Sequence, residues 1–107
     1  MNHAHLTLSL NEMEKKALEF KELLKKYFPK KTIDIILARN ESFYVICYVT
    51  LFEAIVIQIS SDYLQIYIKK IYIVADKIDT TRIYHADIGN VDLDFVRKLI
   101  KRYDNLG

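Results

Sequence analysis

A histidine close to two aspartates is the first place in this 107-residue sequence where catalysis could be sought. Asp79 precedes His85 by six residues, and Asp87 follows it by two. A carboxylate can orient an imidazole so that the ring acts as a general base. A catalytic triad also needs a serine or cysteine nucleophile, and none accompanies His85 in the sequence. We therefore interpret His85 as a loop-edge residue, and an enzyme that uses it as a base is the weakest of three functional hypotheses.

The other residues with ligand chemistry form no metal or nucleotide motif. His3 and His5 stand near the N-terminus without further ligands at suitable spacing. An EF-hand would require a central glycine and a closing glutamate, so turn and capping chemistry better explains the five aspartates Asp76, Asp79, Asp87, Asp92 and Asp94. Gly89 lacks the glycine-rich run and the Lys-Ser/Thr pair of a phosphate loop. We predict no catalytic residue, no metal and no cofactor.

Cys47 is the only cysteine, and it lies inside the apolar run 43–49. Its neighbours give it no basic, exposed setting, which a reactive thiol would need, so we predict a small buried hydrophobe. A single unpaired cysteine fits a reducing compartment. Residues 1–10 lack a signal-peptide pattern, and Glu53 breaks the apolar-rich stretch 43–59 before it could span a bilayer. The expectation is a cytoplasmic protein without a membrane partner.

The charge is unevenly distributed along the chain, although the net charge is only +2. Residues 1–31 carry +3, residues 32–96 carry −4 and residues 97–107 carry +3. Basic residues gather towards the ends of two predicted helices, at Lys25, Lys26, Lys30, Lys31, Arg97, Lys98, Lys101 and Arg102. Such stripes can bind phosphates, so Lys98, Lys101 and Arg102 are candidate nucleic-acid contacts. Solvated helix ends are the simpler interpretation, and the acidic middle weakens the nucleic-acid hypothesis.

Two helices are predicted, one near each end of the chain. Ser9 and Glu12 form a capping-box pattern, apolar residues recur every three to four positions from Leu10 to Tyr27, and Pro29 ends the helix. The second helix is predicted to begin after Asn90, which is a good N-cap residue. Phe20 and Phe95 are the predicted core anchors of the two helices.

Between these helices the hydrophobic period changes to two, which is typical of strands. The predicted strands are 32–38, 43–51, 54–59, 63–68, 71–75 and a short one at 82–85, with a loop at 76–81. Lys69-Lys70 could be a hairpin turn or a bulge in one long strand. Consecutive strands with short turns favour antiparallel pairing. The predicted fold class is therefore α+β: a single domain over residues 1–107, with one mainly antiparallel sheet of five or six strands and both helices on one face.

Alternation along these strands sorts their residues into two faces. One is predicted core: Phe43, Val45, Cys47, Val49, Ile55, Ile57, Ile59, Leu64, Ile66, Ile68, Ile71 and Ile73. The other is amphipathic: Tyr44, Ile46, Tyr48, Thr50, Ala54, Val56, Gln58, Tyr63, Gln65, Tyr67, Tyr72 and Val74. Tyrosine is enriched where proteins bind one another, so the predicted partner-binding residues are Tyr44, Ile46, Tyr48, Val56, Tyr67 and Tyr72.

The favoured function is a non-enzymatic protein-binding module that acts through this tyrosine-rich face, as a homodimer or in a complex with another protein. A small inhibitor or adaptor encoded by a phage or other mobile element fits the chain's length, its lack of motifs and its richness in isoleucine, lysine and tyrosine. The alternative is a nucleic-acid-binding protein that uses the basic helix ends.

Overall fold

The chain folds into one five-stranded antiparallel sheet with an α-helix before it and another after it. The computed structural model describes residues 6–103. Its elements are α1 (Leu10–Tyr27), β1 (Ile33–Leu37), β2 (Phe43–Tyr48), β3 (Glu53–Ile59), β4 (Tyr63–Tyr72), β5 (Lys77–Asp87), a 3-10 helix (Ile88–Asn90) and α2 (Leu93–Lys101). Each strand pairs with the next one in the sequence, in the order β1-β2-β3-β4-β5. The predicted α+β fold, an antiparallel sheet with a helix before it and a helix after it, is confirmed.

The start of α1 is held by the capping box that the sequence predicts. The Ser9 hydroxyl accepts the Glu12 N–H at 3.2 Å, and the Glu12 carboxylate accepts the Ser9 N–H at 3.0 Å. The backbone hydrogen bond from Ser9 lowers the pKa of Glu12 because it stabilises the charged carboxylate. Met13, Ala17, Phe20 and Leu24 are buried on one side of the helix, whereas Leu10 is exposed.

The long hairpin of β4 and β5 differs from the prediction. Lys69-Lys70 is neither a turn nor a bulge, because β4 continues unbroken from Tyr63 to Tyr72. Both lysines have partners on either side, with Lys69 opposite Ala54 and Thr80. The chain turns after Tyr72 instead, where Asp76 adopts a φ of 48° and donates its N–H to the Ile73 carbonyl at 3.2 Å. Aspartate tolerates this left-handed conformation better than lysine does.

As a consequence β5 is longer than predicted. Residues 77–81, expected to form most of a loop, are paired with β4, and the short strand expected at 82–85 is the second half of β5. The register slips by one residue in β5, where Tyr84 pairs with Ile66 and Arg82 pairs with Tyr67. Ile83 is therefore an extra residue, which makes it a β-bulge.

The second helix begins later than predicted and turns a different side inwards. Asn90 belongs to the 3-10 helix, and the N-cap is Asp92, whose carboxylate accepts the Phe95 N–H at 3.1 Å. Val96 and Ile100 are the fully buried residues of α2, and Leu99 is nearly so. Phe95 remains 45% exposed and leans against the Tyr84 ring at 5.7 Å. The prediction that Phe95 is a core anchor is wrong.

Both helices contribute to one hydrophobic core on one face of the sheet. The strands supply Phe43, Val45, Cys47, Ile55, Ile57, Ile59, Leu64, Ile66 and Ile68 to it. These residues alternate along β2, β3 and β4, as a period of two requires. The predicted core face is therefore correct for the strand residues up to Ile68. Ile71 and Ile73, predicted to follow them, are exposed.

We predict that the two helix phenylalanines differ sharply in their effect on stability. Phe20 is 2% exposed, so Phe20→Ala should lower the free energy of unfolding by about 3–5 kcal/mol, the usual cost of such a core truncation. Phe95→Ala, at a half-exposed position, is the matched control and should cost about 1 kcal/mol. Urea unfolding followed by circular dichroism measures both values, and equal losses would contradict the observed orientation of α2.

We also predict that Cys47 is inert in the folded protein. Burial raises the pKa of its thiol to about 11, whereas an unfolded thiol has a pKa of about 8.5. The neutral, buried thiol therefore makes its full contribution to the free energy of unfolding below about pH 8.5. That contribution is lost as the pH rises through the pKa of about 11 in the folded protein. At a pH of about 8, just below the unfolded pKa, a thiol reagent should react slowly without denaturant and rapidly in urea. Equal rates would contradict the burial of β2.

Candidate functional site: the open face of the sheet

The sheet face opposite the helices is covered by no helix of residues 6–103, because α1 and α2 both bury their apolar residues in the core on the other face. We call this surface the open face. Strand pairing assigns to it Asp34 and Ile36 of β1; Tyr44, Ile46 and Tyr48 of β2; Ala54, Val56 and Gln58 of β3; Tyr63, Gln65, Tyr67, Lys69 and Ile71 of β4; and Ile78, Thr80, Arg82, His85 and Asp87 of β5.

An apolar groove occupies the half of the open face that lies towards the β2–β3 turn. It encloses about 520 Å³ and is lined by residues that include Ile46, Tyr48, Leu51, Phe52, Ala54, Val56, Tyr67 and Ile71. Ala54 lies between Tyr48 and Lys69 in the register, and its small side chain leaves space above the middle strand. Leu51 is 88% exposed at the turn. The groove can accept apolar side chains.

A chain of hydrogen bonds crosses the other half of the open face. Arg82 Nη1 donates to Gln65 Oε1 at 3.0 Å, and Gln65 Nε2 donates to Gln58 Oε1 at 3.2 Å. Gln58 Nε2 in turn donates to the Tyr63 hydroxyl at 3.2 Å. Both glutamines are buried although no helix of the described residues 6–103 covers them. Buried amides that are bonded in this way hold their neighbours in one arrangement.

The bulge at Ile83 puts Arg82 on the open face. His85 pairs with Gln65 and lies on this face, so strict alternation would direct residues 83 and 81 outwards and Arg82 towards the helices. The extra residue instead packs Ile83 against the core and brings Arg82 beside Tyr67. Partial burial raises the pKa of Tyr67, and the positive charge of Arg82 opposes that rise. Bulges commonly re-aim a side chain at functional sites.

His85 forms no ion pair with a carboxylate among the described residues. Its ring stacks on Tyr63 with centroids 5.5 Å apart. Asp79 lies on the opposite face of the hairpin and pairs with Lys77 at 3.3 Å, and no ion pair within residues 6–103 includes His85. His3 and His5 lie outside the described residues, and among those that are described no three His, Cys, Asp or Glu side chains come together to hold a metal.

Most of the predicted partner-binding residues share the open face. The register brings together Tyr44, Ile46, Tyr48, Val56 and Tyr67. Tyr72 does not join them, because β4 is one regular strand in which Tyr72 follows Ile68 and Lys70 on the helix side. The predicted face of Tyr72 is therefore wrong, and Ile71 takes the corresponding place on the open face.

Several residues of the open face are missed by sequence reasoning. Leu51 and Phe52 line the groove from the β2–β3 turn, where the sequence indicates only the end of a strand and an unfavourable turn. Asp34 could have been placed by its alternation with Ile33 and Ile35. The face of Arg82 depends on the bulge, for which the sequence contains no signal.

The candidate nucleic-acid contacts Lys98, Lys101 and Arg102 are all exposed at the end of α2. Neighbouring carboxylates reduce the positive charge of both basic regions. Arg97 pairs with Asp94 at 3.1 Å, and Lys25 pairs with Glu22 at 3.9 Å. None of these basic residues belongs to the open face.

No protein-family model, no curated protein and no solved structure matches this chain. Neither described helix is long and apolar enough to cross a membrane.

We predict that reversing the charge of Lys98 and Lys101 leaves the fold intact. Both side chains are exposed, so Lys98→Glu with Lys101→Glu should cost no more than about 1 kcal/mol, including the unfavourable interaction with the helix dipole. The same variant tests the nucleic-acid alternative by fluorescence anisotropy with a labelled oligonucleotide at a physiological ionic strength of about 0.15 M. Tight binding by the wild type that the variant loses would favour that alternative, and no binding by the wild type would eliminate it.

Proposed function

We propose that this protein is a non-enzymatic protein-binding module that acts through the open face of its sheet. The observation that carries the proposal is the apolar groove on a face without a covering helix among residues 6–103. Tyr48, Phe52 and Ile71 are each more than 40% exposed around it, and Leu51 is 88% exposed. Contiguous apolar surface of this kind is uncommon on a protein that works alone, and it usually marks an interaction site.

The residue types around the groove support the same function. Tyrosine and arginine are among the residues that most often dominate binding energy at protein interfaces, and Tyr44, Tyr48, Tyr67 and Arg82 surround the groove and its polar border. A tyrosine ring buries a large area while only two side-chain torsions become fixed on binding. The open face therefore combines apolar contact area with a few placed polar groups.

The open face is also held rigid before any partner arrives. Its side chains stand on paired strands, and the Arg82–Gln65–Gln58 chain fixes one half of it. Preorganisation reduces the entropy lost on association and thereby increases affinity. A small rigid face suits an inhibitor or adaptor that covers a surface of another protein, and a phage or other mobile element is the origin that we propose from composition. We place its action in the cytoplasm because Cys47 is a free thiol.

The test compares the wild type with a variant that carries two charges on the open face. Tyr48→Glu with Tyr67→Glu should weaken association by about 2 kcal/mol or more, roughly 30-fold in Kd, because both rings belong to the contact surface. Leu18→Glu is the matched control, since Leu18 is 50% exposed on the helix side of the molecule. Circular dichroism should show that all three proteins are folded.

Association is measured in two ways, by the mass of the purified protein in solution and by affinity capture from host extract followed by mass spectrometry. The proposal predicts that self-association, or capture of a defined protein, is lost in the double variant and kept in the control. If all three proteins behave alike in both measurements, the open face is not a binding surface.

A further inference from the structure

We infer that the open face binds a second copy of this chain, packed face to face about a twofold axis that runs along β3. The inference rests on the proposed function and specifies its partner. It starts from one row of side chains that crosses all five strands. Successive Cα pairs place Asp34, Ile46, Val56, Tyr67 and Arg82 in that row, from the β1 edge to the β5 edge.

This row is complementary to itself. It has an acid at one edge, a base at the other, three apolar or aromatic side chains between them, and Val56 of the middle strand at its centre. A twofold axis parallel to β3 lays β1 of one copy over β5 of the other. Asp34 then meets Arg82 of the second copy at one end of the row, and Arg82 meets Asp34 at the other. A symmetric dimer forms each contact twice.

Both charges are available for these contacts. No ion pair within residues 6–103 uses Asp34 or Arg82. Arg82 donates from Nη1 to Gln65, and this bond orients a guanidinium that has further N–H donors. A charge on an edge strand can also serve to prevent edge-to-edge pairing. That role requires no particular sign, so reversal of the charges separates the two explanations.

The neighbouring row, which contains Tyr48, Ala54 and Lys69, also forms favourable contacts about the same twofold axis. Ala54 lies on the axis and faces Ala54 of the second copy, which permits close approach of the two sheets. Tyr48 faces Lys69 of the second copy, an arrangement that allows a cation–π contact. In the row on the other side of Val56, Gln58 faces Gln58 of the second copy, and the two neutral amides meet with their N–H groups already bonded to Tyr63 and Ser42 of their own copy.

The exposed end of the β4–β5 hairpin also has a place in this dimer. Ile71 and Ile78 pair on the open face beside the β2–β3 turn, where the Phe52 carbonyl accepts the Ile71 N–H at 2.8 Å. An axis parallel to the strands keeps the direction of each hairpin and carries it to the opposite edge. Ile71 and Ile78 of one copy therefore pass above Leu51 of the other, and three exposed apolar side chains cover one another.

The area and geometry are sufficient for a stable dimer. Strand pairing places eighteen residues on the open face, and each occupies about 4.8 Å by 6.8 Å, which gives roughly 590 Å² per copy. The pair therefore buries about 1,200 Å², at the lower end of the range of specific interfaces. Aligned sheets pack at an angle of about 30°, which displaces the ends of a row by about 5 Å. An arginine side chain is long enough to span that displacement.

The experiment reverses the two charges separately and measures mass by light scattering, with identities from native mass spectrometry. The wild type should have twice the chain mass of 12.7 kDa. Asp34→Arg places two arginines at each end of the row, and Arg82→Glu places two acids there. Each variant alone should raise the dimer Kd at least about tenfold, because like charges oppose each other at both ends. Glu14→Arg on the outer side of α1 is the matched control and should remain dimeric.

The decisive sample is an equal mixture of the two folded variants. In the mixed pair the introduced arginine meets the introduced glutamate at one end of the row, and the native Arg82 of one copy meets the native Asp34 of the other at the opposite end. Opposite charges therefore face each other at both ends, so the mixture should form a heterodimer with a Kd within about threefold of the wild type. If neither single change weakens the dimer, or if the mixture stays monomeric, the pairing is wrong.

A monomeric wild type at millimolar concentration would also overturn the inference. Loss of a captured protein in the Tyr48→Glu, Tyr67→Glu variant would in that case still support the proposed function with a different partner. Equal behaviour of that variant and the wild type would overturn both.

Discussion

Side chains alternate between the two faces of a β-strand, and in this protein an unbroken register applies that rule across β1 to β4, with a one-residue bulge where β5 pairs with β4. The rule sends the isoleucines of β3 and β4 to one face as far as Ile68 and the tyrosines of β2 and β4 up to Tyr67 to the other. Burial of each isoleucine contributes about 1.5–3 kcal/mol, so a shift of one residue would expose the core and bury the tyrosines. The positions of both helices and the composition of the open face depend on this register.

Much of the architecture follows from local signals. The capping box at Ser9 marks the start of α1. Alternation between Phe43 and Ile59 shows which residues of β2 and β3 lie on each face of the sheet. The prediction fails where the local signal is ambiguous. Lys69 and Lys70 interrupt an apolar run as a turn would, yet pairing with strands on both sides holds them extended. The N-cap of α2 was also ambiguous, because the side chains of Asn90 and Asp92 can both accept the capping hydrogen bond. Asn90 is part of the preceding 3-10 helix, so Asp92 is the N-cap.

The residues of the open face were predictable from the sequence only where alternation within a single strand determines their face. Tyr44, Tyr48 and Tyr67 follow from alternation within single strands, and no knowledge of pairing is needed to group them. Tyr72 is misplaced because the predicted break at the lysines shifts the alternation by one residue. Arg82 requires more information, since its face is determined by an extra residue at Ile83 that only the pairing of β4 with β5 reveals. Asp34 and Arg82 come into one row through four successive strand pairings, which no local pattern contains.

The strand order has a consequence for how the molecule assembles. Every strand pairs with its neighbour in the sequence, so each step closes a short loop and loses little chain entropy. Pairing between strands that are neighbours in the sequence forms more readily than pairing between distant segments. Because α1 rests on β1, β2 and β3, the N-terminal half already contains a helix and the strands that it covers. Arg82 belongs to β5, so its hydrogen bond to Gln65 forms only after β5 has paired with β4. The hydrogen-bonded half of the open face is therefore completed late in folding. During synthesis, the chain therefore presents its finished open face only after most of its core has formed.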